Sequence, residues 1–478
     1  MISSALPVFA DFVGGNQTTG GNHTFDLIGP QDGKIIGQIA ESGAAGVDRA
    51  TKAAAVAFAA NRKQSAHHRI AWLKAAASAL IKAGDQIAPL ICEDVGKPIR
   101  MANFEVKRGA EFLELTAAAM TQLGGETLPL DITAQGADHI GFVRHAPYGV
   151  VAGITPFNAP VNLLVQKVAP AIAAGNAIIV KPAPAGTRTA LYLAQLFQDA
   201  GWPKDLFTVV TGDRETALAL AAHDEVRAVS FTGGTAGGDA LARAAGAKKF
   251  IAELGSNAAN IVMADADIEA AAKKIAPAAF EASGQQCISA QRILVARPVL
   301  DAFLKNFVDV AKTMKVGDAT DPKTDIGPMV SKASAERVLA MCNDAIAKGA
   351  RYVLEPRQTD AMVSPGILVD VSSSTRLWNE EVFGPIVLVT AFDSIDDALR
   401  MANDSPFGLQ GAVFTRDLTA ALRFSEDFDV GALWINEATR FRLDIYPFGG
   451  MKRSGVGREG VRYAIEEFSQ LKFTGIAV

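Results

Sequence analysis

Histidine and cysteine are scarce in this chain, and their spacing removes several chemistries. The six histidines (His23, His67, His68, His139, His145 and His223) show no ligand spacing. His67 and His68 are adjacent, so on a helix they point about 100° apart rather than at one ion. No metal site is expected, and without an HExxH, paired CxxC or GxSxG motif zinc and serine hydrolases lose their support. The three cysteines (Cys92, Cys287 and Cys342) are an odd number in a long chain and make no disulfide framework, which fits a reducing, cytoplasmic location. Long apolar runs are also missing. The stretch from Val168 to Val180 is interrupted by Asn176 and falls short of the ~20 residues a membrane span needs. The N-terminal segment MISSALPVFADFVGG lacks Lys and Arg and does not read as a signal peptide. A formal charge of −5, with no run of like charges, argues against a nucleic-acid binder. Repeats and low-complexity tracts are absent.

What is present points to a large α/β protein. At 478 residues the chain exceeds one ordinary core and suggests two or three packed domains. With 49% hydrophobic and 20% charged residues it is globular. Residues 47 to 83 read as Ala-rich helix. From about residue 147 short apolar strands (GVVAGIT, NAIIVKP, FTVVTG, AVSFTGG, FIAELG) alternate with helical segments, which implies βαβ units and a mainly parallel sheet. A second β/α series runs from ANIVMADA through RILVA and GPIVLVTAF to VGALWIN, so two α/β domains should meet near residue 254. Between Gly125 and Gly149 the segments GETLPLDI and IGFVRHA read as a two-stranded hairpin with Gly136 in its turn. A two-stranded ribbon is marginal alone, so completion by another subunit is expected.

Two local motifs compete for attention. The only G-x-G-x-x-G is Gly455, Gly457 and Gly460, but a glycine-rich loop precedes it where a dinucleotide fingerprint needs a strand. A cofactor role for it is rejected. Cys287, in EASGQQCISAQRI, has a glycine and polar residues beside it. Such a loop can offer a nucleophilic thiol both exposure and backbone N–H groups for an oxyanion, although a lone cysteine is more usually a small buried hydrophobe.

Across essentially its whole length the chain resembles the aldehyde dehydrogenase superfamily. Seven motifs carry the resemblance, in order: TPFNAP (155–160), IIVKPAP (178–184), SFTGGTAGG (230–238), AELGSNAANIV (252–262), GQQC (284–287), EEVFGP (380–385) and PFGGMKRSG (447–455). It implies two Rossmann-like α/β domains, a cofactor domain (1–123 and 146–253) and a catalytic domain (254–447). A β-hairpin oligomerisation element (124–145 and 466–478) would build a homodimer or homotetramer. The implied reaction oxidises a small-molecule aldehyde to its acid with NAD or NADP. Cys287 would attack the carbonyl, Asn158 and the Cys287 N–H would hold the oxyanion, and Glu253 would activate the deacylating water, steered by Lys167. Lys181 would hydrogen-bond the adenosine ribose. Gly233 and Gly238 would let backbone and helix N-terminus approach the pyrophosphate, and Glu381 and Phe383 would hold the nicotinamide ribose. Thr155, Pro156, Phe157, Pro184, Gly212, Phe231, Thr232, Gly234 and Leu254 complete the implied cofactor site.

The sequence also departs from that pattern. NAD-preferring members often place Glu three residues after the ribose lysine; here stands Pro184, which leaves NADP admissible, and Arg188 is close enough in sequence to help. Ala159 and Arg442 replace aromatics of an apolar substrate tunnel. If residues 440–442 are extended, Arg440 and Arg442 share one face and could receive an anionic or hydroxylated aldehyde, with Arg108, Gln286 and Phe448 as further lining. A retained Glu253 argues against a CoA-acylating enzyme. Cys287, Glu253 and Asn158 together argue against a catalytically idle structural relative.

Overall fold

The computed structural model describes residues 6–18 and 23–478. Its first large sheet has eight strands, five of them parallel: Lys249–Glu253, Val226–Thr232, Val150–Thr155, Ala177–Pro182 and Phe207–Val209, in that spatial order. Val150–Thr155 and Ala177–Pro182 are buried throughout. That explains their near-continuous apolar sequences, because a parallel strand is covered by helices on both faces. Asn162–Ala174 is the crossover helix between these two strands, and Gly175 ends it with φ +93°. The short strand Gly455–Val456 adds antiparallel to Lys249–Glu253, with Gly455 opposite Glu253. The rejected glycine motif therefore braces the expected general-base strand from outside.

A second sheet of seven strands takes its members from residues 259 to 435 and is parallel except at the edge strand Arg351–Leu354. The chain passes from the carboxyl end of Lys249–Glu253 to the amino end of Ala259–Val262 within a few residues. The carboxyl edge of the first sheet thus meets the amino edge of the second. In the first sheet the strand order reverses beside Val150–Thr155, and ligands of open α/β sheets bind at such switch points. Thr155, Lys181, Thr232 and Glu253 all lie at the carboxyl ends of their strands.

The expected hairpin is corrected in one respect. Glu126–Leu128 and His139–Pro147 do pair, but the chain's own C-terminal strand Ser469–Ala477 adds a third member along the full length of His139–Pro147. This strand supplies backbone partners for one edge of His139–Pro147 from within the chain and leaves its own outer edge open. Gly136 lies in a 3-10 turn (Ala134–Gly136), where a Cβ would fall 1.8 Å from the Leu130 carbonyl oxygen.

Candidate active site

The loop before strand Arg292–Ala296 carries Cys287 in an unusual backbone. Ala282, Ser283 and Gly284 follow one another at φ 53°, 59° and 63°. For the two non-glycine residues this costs of order 1–3 kcal/mol each. Hydrogen bonds hold the loop: Ser283 Oγ donates to the Gly327 carbonyl at 2.7 Å, and Gln285 Oε1 accepts from the Val330 N–H at 3.0 Å. Glycine is needed at 284 because a Cβ would lie 2.2 Å from the Gly384 carbonyl oxygen. The Cys287 loop thus packs directly on the EEVFGP loop, whose Phe383 also has φ 47°.

Cys287 is partly exposed, whereas Cys92 and Cys342 are buried. It packs against the cluster of Ile288, Leu409 and Phe448, as does Tyr446. Burial, then the Glu381 carboxylate, push its thiol up to about 12, while Arg442 pulls it down. Burial pushes the other two thiols to about 12 as well. Exposure, not acidity, separates Cys287 from the other two.

Asn158 lies in the loop between Val150–Thr155 and Asn162–Ala174, and its Nδ2 donates to the Gln285 carbonyl at 2.8 Å. One amide hydrogen is used there, and the second is available to an oxyanion beside the Cys287 loop. The loop is anchored by Glu105, whose Oε1 accepts from the N–H groups of Val161 (2.8 Å) and Asn162 (3.2 Å), while Lys97 pairs with Oε2. Neither residue stood out in the sequence, because a Lys in a loop and a Glu on the helix after it look like solvated charges.

Glu253 is buried, and neither carboxylate oxygen has a hydrogen-bond partner among the described residues. Burial and then the Glu459 carboxylate raise its pKa well above the ordinary carboxylate range, against Arg442, Lys167 and Arg458. Such a carboxyl is a stronger base once ionised. Lys167 donates to Ser230 Oγ (3.1 Å) and Thr232 Oγ1 (2.7 Å) and lies 3.5 Å from Glu459. Thr232 is level with Glu253 in the sheet. Glu459 sits inside the glycine motif rejected as a fingerprint, and the sequence reading missed it.

The expected common face of Arg440 and Arg442 does not form, because a turn at Thr439–Arg440 interrupts the segment. Arg440 donates to Gln286 Oε1 at 2.9 Å and pairs with Glu281. Arg442 is buried; it contacts Glu459 at 2.9 Å, Asp444 at 3.6 Å and Gln166 at 3.3 Å, and lies 3.6 Å above the Phe448 ring centre. Arg108 makes a two-pronged bond to Asp444 at 3.0 and 2.7 Å. Hydrophobic logic is inverted here: Arg442 and Asp444 are inside while Phe441, Leu443 and Ile445 are exposed.

On the other side of the cleft the residues expected to hold a cofactor assemble. Gly234 opens helix Thr235–Ala245 with no side-chain cap and open space where its Cβ would be, leaving N–H groups of the first turn for an anion. A Cβ at Gly233 would lie 2.5 Å from the Phe231 ring, and one at Gly238 2.5 Å from Leu254; at both positions the crowding atom is a side chain. Lys181 is buried, and its ammonium has no hydrogen-bond partner among the described residues. Glu381 Oε1 accepts from the Ser256 N–H at 3.1 Å, and burial pushes its carboxyl up to about 7. Phe157 meets Phe383 edge to face with ring centres 6.0 Å apart, so Thr155, Pro156 and Phe157 border the same cleft as the EEVFGP loop. Uncapped amides, a buried lysine and the open space at Gly234 fit a dinucleotide. Arg188 does not face that cleft unpaired: it contacts Glu93 at 2.6 Å and Asp94 at 3.3 Å.

With this geometry in hand, comparison with known proteins is informative. The model of the Aldehyde dehydrogenase family matches residues 17–474. Aspartate-semialdehyde dehydrogenase 1 of Pseudomonas canavaninivorans is 36% identical over 94% of this chain and 95% of its own length. The 3-sulfolactaldehyde dehydrogenase of Priestia megaterium is 39% identical over 85% of both chains. Among solved structures, the NADP-dependent glyceraldehyde-3-phosphate dehydrogenase of Bacillus halodurans, complexed with NADP, superposes with a TM-score of 0.95 at 30% identity, covering 98% of this chain and 99% of that one. The matched family, the two sheets meeting at one cleft, and the Cys287, Asn158 and Glu253 side chains within it agree: this chain belongs to the aldehyde dehydrogenase family.

Proposed function

We propose that the chain oxidises a short aldehyde bearing an anionic or hydroxyl group to its acid, with NAD⁺ or NADP⁺, through a thioester on Cys287. The observation that carries this reading is the partly exposed Cys287 in a loop bonded by Asn158, with the buried, unpartnered carboxylate of Glu253 at the carboxyl end of its strand. The sulfur adds to the carbonyl carbon, its proton leaves to a base, and the second Asn158 amide hydrogen meets the developing oxyanion. Oxidation of that adduct needs a hydride acceptor, which a nicotinamide dinucleotide supplies; Lys181, the first turn of Thr235–Ala245, Glu381 and Phe383 would hold it. Glu253 then takes a proton from water, whose oxygen attacks the thioester, and the acid leaves with Cys287 restored. Acid quenching of a turnover mixture should leave an acyl group on the Cys287 peptide by mass spectrometry; a label-free peptide under accumulating product would sink the thioester.

An anionic substrate is supported by charge while Glu253 is protonated. Lys167, Arg442 and the partly buried Arg108 then face two carboxylates, Glu459 and Asp444, and Glu253, which the same Lys167 and Arg442 act on, adds a third when ionised. The relatives' names point the same way, to a carboxylate, a sulfonate and a phosphate. Arg442 is the central member, and an anion held by one buried Arg is worth roughly 1.5–3 kcal/mol, about 10- to 150-fold in affinity. Arg442→Leu should therefore raise KM for an acidic semialdehyde far more than for propanal, and Arg442→Lys should restore most of the difference. Equal changes on both substrates would make Arg442 structural. Its removal leaves Glu459 and Asp444 short of a partner, so a loss of about 3–5 kcal/mol in stability is expected and must be checked by Tm.

A second copy of the chain is the proposed partner. The outer edge of Ser469–Ala477 is unpaired among the described residues, and the ribbon exposes Ile140, Leu471, Phe473, Ile476 and Val478. A long apolar edge strand invites pairing. Light scattering at micromolar concentration should give the mass of two or four chains; the mass of one chain would contradict this.

A further inference from the structure

Strands Ala177–Pro182 and Phe207–Val209 run in parallel with Val209 level with Val180, and the Val210 N–H donates to the Val180 carbonyl at 3.0 Å. The residues that leave the second strand, Thr211, Gly212 and Asp213, therefore pass beside Lys181. An N-terminal segment is laced onto this bend: Thr211 Oγ1 donates to the Ala40 carbonyl at 2.7 Å, and the Ser42 N–H donates to the Thr211 carbonyl at 3.0 Å. Glu41 stands between those anchors and turns its carboxylate into the bend. Oε2 accepts from the Asp213 N–H at 2.9 Å, and Oε1 accepts from Thr216 Oγ1. The approach depends on Gly212, at φ +134°, where a Cβ would sit 2.5 Å from Glu41 Oε1.

Charge at this corner is lopsided. Burial pulls the Lys181 ammonium down to about 8, opposed by the carboxylates of Asp213 and Glu41. Asp213 is exposed, so solvent screens it, whereas Glu41 is half-buried and held in place. Arg188, the cation best placed in sequence to welcome extra phosphate, is spent on Glu93 and Asp94. Arg214 is exposed at the first position of helix Arg214–Ala222 and makes no ion pair among the described residues, so its pull is screened as well. Pro184 carries no charge at all.

We propose that Glu41 makes this enzyme prefer NAD⁺ to NADP⁺: beside Lys181 its carboxylate accepts from the adenosine ribose, the role Pro184 cannot fill, and it repels a 2′-phosphate. This rests on the dinucleotide reading of the cleft. Calorimetric titration of the full-length protein with each dinucleotide, without aldehyde, tests it. NAD⁺ should bind about 10-fold or more tighter than NADP⁺, since one fixed carboxylate faces two added charges at low screening. Glu41→Gln should weaken NAD⁺, strengthen NADP⁺ and shrink the ratio to about 3-fold or less, while Arg188→Leu leaves it alone. Should the Gln variant fail to fold, wild-type binding of ADP-ribose against its 2′-phosphate gives the same reading. Equal or tighter binding of the phosphorylated form, or an unchanged ratio in folded Glu41→Gln, overturns the proposal. If neither dinucleotide binds, the cofactor reading itself falls.

Discussion

Cys287→Ser is expected to fold, bind cofactor and lose roughly 10³-fold or more in turnover, because a hydroxyl is a far weaker nucleophile at neutral pH. The change is small in volume and falls at a partly exposed site, so stability should move by less than about 1 kcal/mol. Cys92→Ser and Cys342→Ser invert that pattern. Both thiols are buried in helices, Gly84–Val95 and Lys332–Ala347. Burying a hydroxyl there should cost about 1–3 kcal/mol, with kcat unchanged below the melting transition. Three serine variants, each measured for Tm, dinucleotide binding and turnover, separate nucleophile from core. Unimpaired turnover in Cys287→Ser would end the thioester mechanism, whatever the other two do.

How much of this was legible before the structure depends on whether function was local in sequence. The parallel strands were, since burial on both faces writes itself as runs such as AIIVKP. Cys287 and Asn158 were reached by resemblance, and local sequence alone left Cys287 open. Pairing across long sequence distance was not legible. Nothing in FRLDIYPF says that Arg442 turns inward to Glu459 while Phe441 and Leu443 stay outside; period-2 reasoning needs a strand, and Thr439–Arg440 is a turn. Glu41 was invisible for the same reason, because its partners Asp213 and Thr216 lie far along the chain. The C-terminal strand was named as part of the ribbon, yet its register against His139–Pro147 cannot be read from two apolar segments so far apart.

Glu253→Gln should split the reaction into its two halves. Hydride transfer precedes deacylation, so mixing the variant with aldehyde and cofactor should still release about one reduced nicotinamide per site in a burst. Steady-state turnover should then fall by about 10²–10⁴-fold, the usual worth of a general base. The amide has no charge to place beside Glu459, so that repulsion is relieved. Its two N–H groups, however, enter a site where the carboxylate oxygens found no partner. These effects oppose each other, and a stability change within about 1–3 kcal/mol is expected. In the wild type only ionised Glu253 can accept a proton. Because its folded value lies well above the ordinary carboxylate range, steady-state rate should fall as pH drops through that raised value, and this limb should vanish in the variant. The burst carries separate information. With the Cys287 thiol pushed up to about 12, some base must take its proton, and Glu253 is among the groups acting on it. If Glu253 serves only deacylation, burst rate and amplitude both survive the substitution. If it also takes the thiol proton, the amplitude survives while the burst slows. A lost amplitude in protein that still binds cofactor would show that thioester formation itself requires Glu253.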